Sequence, residues 1–154
     1  MFFAIVVAGL IGLSTAICLA QDSGNHGPVG NIEVFYGVIP SRVILGHPVD
    51  HAERKMHGGV PVGADQYHLI VSLFDRKTQE RIVDADVSAR ISAGGLREQR
   101  KTLEPMEFAG AQTFGNYFQM PEPGPYRIEV DIRRHRAAKA VTTRFEYSHP
   151  RRLQ

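Results

Sequence analysis

The stretch HAERKMHGGVPVGADQYH, from His51 to His68, gathers three of the chain's seven histidines and one of its four methionines. Imidazole nitrogen and thioether sulfur are copper donors, the first suited to Cu(II) and the second to Cu(I). His57 and His68 are the candidate nitrogen ligands and Met56 the candidate sulfur ligand, with His51 or Met120 completing the set. Gly58 and Gly59 follow His57 directly and allow backbone conformations that turn Met56 and His57 inward. A histidine ligates only when neutral, so such a site should weaken below about pH 6. The spacing carries no fixed geometry of the kind a paired CxxC has. A solvated polar loop, with Met56 as its apolar plug and His68 capping a sheet edge, therefore stands beside the metal reading. Met106 and Met120 each read first as core filler.

Other chemistry finds little support. Asp84 and Asp86, two apart, could present paired carboxylates, but Arg81 and Arg90 nearby favour a salt-bridged face. Ser72 and Ser88 lack a nucleophile elbow, and there is no P-loop, dinucleotide fingerprint or HExxH pattern. The expectation is a binding protein and not an enzyme, with no small-molecule substrate. Cys18 is the only cysteine, which excludes disulfides, zinc–thiolate sites and iron–sulfur clusters. Eighteen basic and 16 acidic side chains, for a net charge of +2, are mixed along the chain and give no field for nucleic acid. The basic runs RRHRAAK and HPRRLQ read as solvated charge at a hairpin tip and a chain end.

The elements that must hold these residues follow a period of two. Residues 1–20, MFFAIVVAGLIGLSTAICLA, form an apolar run ending in a small-x-small pattern, as in a secretory signal cleaved after Ala20. No Lys or Arg precedes it, and its length also suits an uncleaved anchor. Residues 21–30 read as a flexible leader, and a folded domain is expected over 31–154. Strands are expected at Ile32 to Ile39, Arg42 to Leu45, Tyr67 to Asp75, Arg81 to Ser92, Thr113 to Met120, Tyr126 to Arg133 and Ala140 to Ser148. Residues 93–110 read as a polar break. No helical stripe of eleven residues occurs after residue 20. The fold class is all-β, an immunoglobulin-like sandwich of two antiparallel sheets with about seven strands, with a small closed barrel as the alternative. Tyr126, entering a strand from PGPY, could bond its hydroxyl back to the turn. Roughly twenty residues separate Leu45 from Tyr67, and a loop that long is usually functional or disordered.

MHGGVPVGADQYHLIVSLFD, RIVDADVSARI and GNYFQMPEPGPYRIEVDIRR together resemble small exported bacterial domains of the YtkA-like kind. The resemblance spans roughly Asn31 to Tyr147, and its clearest pieces are Tyr67–His68, the strand ending LFD, and the turn from Pro123 to Tyr126. It implies an immunoglobulin-like sandwich and an accessory or binding role near metal-handling or membrane redox systems. Periplasmic copper-resistance proteins are a looser analogy, and this chain lacks their dense methionine-rich loop. The expectation is an exported, periplasmic accessory domain, with residues 1–20 as a membrane anchor if they are not cleaved, that binds copper through the His51–His68 loop. The rival is a metal-free interaction module that docks a membrane or periplasmic partner protein.

Overall fold

A computed structural model describes residues 24–150 of the chain, and the export segment expected at 1–20 lies outside them. Eight antiparallel strands account for most of the described residues: β1 (His26–Val29), β2 (Ile32–Pro40), β3 (Gln66–Asp75), β4 (Ala85–Ser92), β5 (Gln99–Phe108), β6 (Ala111–Gln119), β7 (Tyr126–Arg134) and β8 (Val141–Tyr147). Two short helices, α1 (Ser41–Leu45) and α2 (Ala52–Lys55), and a 3-10 turn at Met56–Gly58 lie between β2 and β3. Among the described residues no helix is long and apolar enough to cross a membrane.

The strands are hydrogen-bonded in the single order β1-β2-β3-β6-β5-β4-β7-β8, not as two separate sheets of a seven-strand sandwich. Strand β5 makes the difference. Its first half, Gln99 to Leu103, pairs with β4, and its second half, Glu104 to Phe108, pairs with β6. One strand thus passes from one half of the structure to the other and joins them. The two ends of the sheet approach through side chains: Tyr36 of β2, the strand beside edge strand β1, packs at 4.6 Å and a 35° tilt on Phe145 of β8, and its hydroxyl donates to the Glu146 carbonyl at 3.2 Å. The result is an all-β, nearly closed sheet wrapped around one core.

Alternation builds that core. Ile32, Val34 and Tyr36 of β2, Leu69, Val71 and Leu73 of β3, and Ile128, Val130 and Ile132 of β7 all point inward and are buried. The corner predicted at Tyr126 is present: the hydroxyl donates to the Glu122 carbonyl and accepts from the Glu122 N–H, both at 2.7 Å.

Three segments differ from the sequence expectation. Arg42 to Leu45 is helical instead of extended, because the chain leaves the sheet at Pro40 and only Ile44 of that run packs inward, with Val43 left exposed. Residues 99–108 form β5, which the polar composition concealed: most of its side chains face solvent, and only Leu103 and Met106 are buried. Within the segment read as leader, His26–Val29 pairs with β2 as an edge strand, a position that tolerates Pro28, and His26 stacks on Phe35.

Strand β3 is buried on both faces, and this positions the site. Leu69, Val71 and Leu73 enter the central core, whereas His68 and Ile70 face the other way and are still buried, His68 completely. The segment from Ser41 to Asp65, with its two short helices, covers that outer face. The long connection is a cap with its own turns, and it carries three of the chain's seven histidines.

Candidate metal centre

Three segments far apart in sequence meet under the cap. His68 stands on the outer face of β3, opposite Tyr117 of β6, and Ile70 stands opposite Gly115. Across β6, Gly115 faces Glu104 and Thr113 faces Met106. His68 and Met106 therefore flank Gly115 from its two neighbouring strands. A Cβ on Gly115 would lie 2.7 Å from His68 Nε2 and 2.8 Å from Met106 Sδ. The missing side chain is what lets imidazole and thioether lean over the same spot.

His57 descends onto this spot from the cap. Its backbone is left-handed (φ 55°, ψ 31°), a conformation uncommon for a residue with a Cβ and concentrated at functional sites. The turn continues through Gly58 and Gly59, both at positive φ. The His57 side chain is almost fully buried, and its Nε2 lies 3.2 Å from His68 Nε2 and 3.2 Å from Met106 Sδ. Its other nitrogen, Nδ1, lies 2.8 Å from Glu104 Oε2. An ionised carboxylate only accepts hydrogen bonds, so Nδ1 carries the proton and a neutral His57 directs its lone pair from Nε2 toward His68 and Met106. A carboxylate holding the far nitrogen of a histidine is the usual support of a metal-ligating ring.

His68 is held differently. Its ring stacks on Tyr117 with centroids 4.6 Å apart and planes 25° apart, and its Nδ1 is buried without a hydrogen-bond partner. Burial, and secondarily the nearby His57, push its pKa down to about 3, so the ring stays neutral and able to ligate. Tyr117 is also desolvated, and burial together with the Glu53 carboxylate raises its phenol to about 12.

The geometry suits a single ion. First-row metals bind imidazole nitrogen at about 2.0–2.1 Å, so two nitrogens on one tetrahedral ion sit roughly 3.3 Å apart. The 3.2 Å between His57 Nε2 and His68 Nε2 matches that edge, and Met106 Sδ, at 3.2 Å from His57 Nε2, need retreat only by a few tenths of an ångström to reach the roughly 3.5 Å edge of a nitrogen–sulfur pair. Two imidazoles and a thioether form a soft donor set.

The structure brings together His57 and His68 among the residues singled out from sequence, and it adds Met106 and Glu104. Met120 is 1% exposed in the central core, on the opposite side of the sheet. Met56 is the residue that closes α2, and His51 caps the start of α2, accepting from the Glu53 N–H at 3.3 Å. Met106 was legible only through β5: once that strand is recognised, Glu104 and Met106 share the face opposite Leu103. The Asp84 and Asp86 carboxylates are taken up by Arg134 and Arg133 of β7, at 3.5 and 2.6 Å, and form a charged surface.

No protein-family model and no curated protein matches the chain. Solved structures of similar fold do. FetP of uropathogenic Escherichia coli strain F11, as a copper-bound variant, aligns with a TM-score of 0.62 at 16% identity over 82% of this chain and 95% of FetP. FetP as isolated after recombinant expression in the periplasm of E. coli gives the same TM-score and identity. A DUF4426 family protein from Pseudomonas aeruginosa PAO1 aligns at 0.62 with 13% identity, over 84% of this chain and 96% of its own. A copper-bound variant of Campylobacter jejuni P19 aligns at 0.60 with 11% identity, covering 82% and 94%. At these identities the likeness is one of fold, and none of these structures carries the YtkA-like name that the sequence resembles.

Proposed function

We propose that this chain is an exported accessory protein that binds copper, with a preference for Cu(I), through His57 Nε2, His68 Nε2 and Met106 Sδ. The observation that carries the reading is the convergence of these donors at 3.2 Å around His57 Nε2 over a glycine cradle. Two neutral imidazoles and a thioether prefer the softer oxidation state. Glu104 orients His57 and Tyr117 orients His68, so the pocket is shaped before the ion arrives. Copper-bound structures among proteins of the same fold support the choice of metal, and the apolar run at 1–20 supports export.

The test is a competitive titration of the chain with Cu(I) and with Cu(II), beside His57→Ala and Met106→Leu variants. Stoichiometric Cu(I) binding that both substitutions weaken sustains the proposal. Weak binding that neither changes overturns it, and returns the loop to the metal-free docking role.

A further inference from the structure

Above the His57–His68 cluster the cap carries a second group of donors. We infer that His47, His51 and Glu53 form a separate metal site, one that takes a divalent first-row ion of borderline hardness such as zinc.

One donor atom from each of these residues lies within 4.8 Å of the other two. His47 Nδ1 and Glu53 Oε2 are 3.1 Å apart, yet neither makes a hydrogen bond of acceptable angle with the other or with any other group. That separation is close to the edge of roughly 3.3 Å expected for ligands of one tetrahedral ion. Glu53 is 8% exposed, and a carboxylate is not buried at the cost of its hydration without a counter-charge or donors. The two rings pack edge to face with centroids 4.6 Å apart, and the Arg54 guanidinium donates to the His47 carbonyl at 3.1 Å, which fixes the backbone of this turn.

Orphan polar atoms concentrate at this end of the molecule. Of the six buried side-chain nitrogen and oxygen atoms without a partner among the described residues, five belong to Ser41, His47, Glu53, His68 and Tyr117. All five lie in the cap or on the sheet face beneath it, and buried polar groups left unpaired in this way mark places where an ion or ordered water belongs.

Two imidazoles and a carboxylate are the donor set of open zinc sites, which complete their shell with water. The absence of a sulfur ligand separates this site from the soft cluster below it. His51 is exposed, so the open position faces solvent. Binding through either nitrogen of His51 releases the long 3.3 Å bond from the Glu53 N–H.

The experiment is a zinc titration by calorimetry, with Co(II) as the spectroscopic probe, on the chain and on His51→Ala, Glu53→Gln and His57→Ala variants. We expect one zinc equivalent that survives His57→Ala and weakens at least about tenfold in His51→Ala and in Glu53→Gln. His51 is on the surface, so its replacement leaves the fold intact even if Glu53→Gln does not. Zinc binding that persists equally in the His51 and Glu53 variants, binding lost in His57→Ala, or no zinc binding at all would each overturn the inference. The copper titration is a separate readout, and its failure leaves this one standing.

Discussion

The Nε2 atoms of His57 and His68 face each other at 3.2 Å, one from a left-handed turn in the cap and the other from the buried face of a central strand. Two basic nitrogens at that distance share either a proton or a metal ion. When Nδ1 of a neutral His57 holds the proton, the hydrogen bond between the rings requires a proton on His68 Nε2, and His68 Nδ1 is then a buried acceptor without a partner. An ion between the rings replaces that shared proton.

Met106 and Met120 separate into distinct predicted behaviours. Met106 Sδ is 3.2 Å from His57 Nε2, whereas Met120 is sealed in the opposite core. Met106→Leu and Met120→Leu are both near-isosteric and should each cost less than about 1.5 kcal/mol of stability. Only Met106→Leu should weaken Cu(I) binding. Paired chelator competition and urea denaturation distinguish them, and equal loss of copper affinity in both would refute the assignment of the sulfur ligand.

Glu104 is half exposed and makes its contribution through His57 Nδ1 at 2.8 Å. Replacing it by Ala frees the ring to rotate and to change tautomer. Supporting carboxylates of this kind are worth about 10–100-fold in metal affinity. Glu104→Ala should therefore lower copper affinity in that range while leaving the unfolding midpoint nearly unchanged. A variant that binds copper as tightly as the parent would show that Glu104 is only a surface contact.

The fold was legible in the sequence wherever one face of a strand is wet. Ala85, Val87, Ala89 and Ile91 alternate with Asp86, Ser88 and Arg90, and this segment forms β4, which starts at Ala85 instead of Arg81 and leaves Val83 exposed. It was not legible in β5, whose side chains are mostly solvated and whose pairing is split between β4 and β6; no local signal marks a strand that is held mainly by its backbone. The site inherited that gap. His57 and His68 stand out by type, but Met106 and Glu104 become neighbours of His57 only through the register of β5 with β6, which sets Glu104 opposite Gly115 and Met106 opposite Thr113. Met120 looked equivalent to Met106 because periodicity gives the faces of a strand without saying which face a distant cap covers.

Asp75 gives the fold a definite acid response. Its carboxyl is held below the ordinary aspartate range, first by the Lys77 and Thr78 backbone N–H groups at 2.9 and 3.3 Å, then by the Asn31 amide and Arg134, with partial desolvation opposing them. A carboxyl that binds its proton less readily in the folded state stabilises the fold above its unfolded pKa, about 3.9, and loses that contribution as pH falls through the lower folded value. The stability gap between the parent and Asp75→Asn should then be largest at neutral pH and close progressively below pH 4. Urea midpoints at pH 7, 5 and 3 measure it. A gap that stays constant across that range would mean the charge of Asp75 contributes nothing.

Gly115 offers the sharpest test of how the site is built. Its backbone does not require glycine for conformational reasons, since its φ is not positive. What requires glycine is space: an added Cβ meets His68 Nε2 at 2.7 Å, Met106 Sδ at 2.8 Å and the Leu69 carbonyl at 3.1 Å. Met106 is flexible and can retreat. His68 cannot, because its ring is packed on Tyr117 and its backbone is fixed by pairing on both sides of β3. Gly115→Ala should cost about 1–3 kcal/mol, the usual penalty for overpacking, and should remove Cu(I) binding by forcing the thioether away from the imidazoles. Thermal unfolding followed by circular dichroism gives the first quantity and chelator competition the second. Retained copper affinity in a folded Gly115→Ala protein would mean that the metal does not sit between His68 and Met106, and the three-donor centre would have to be abandoned.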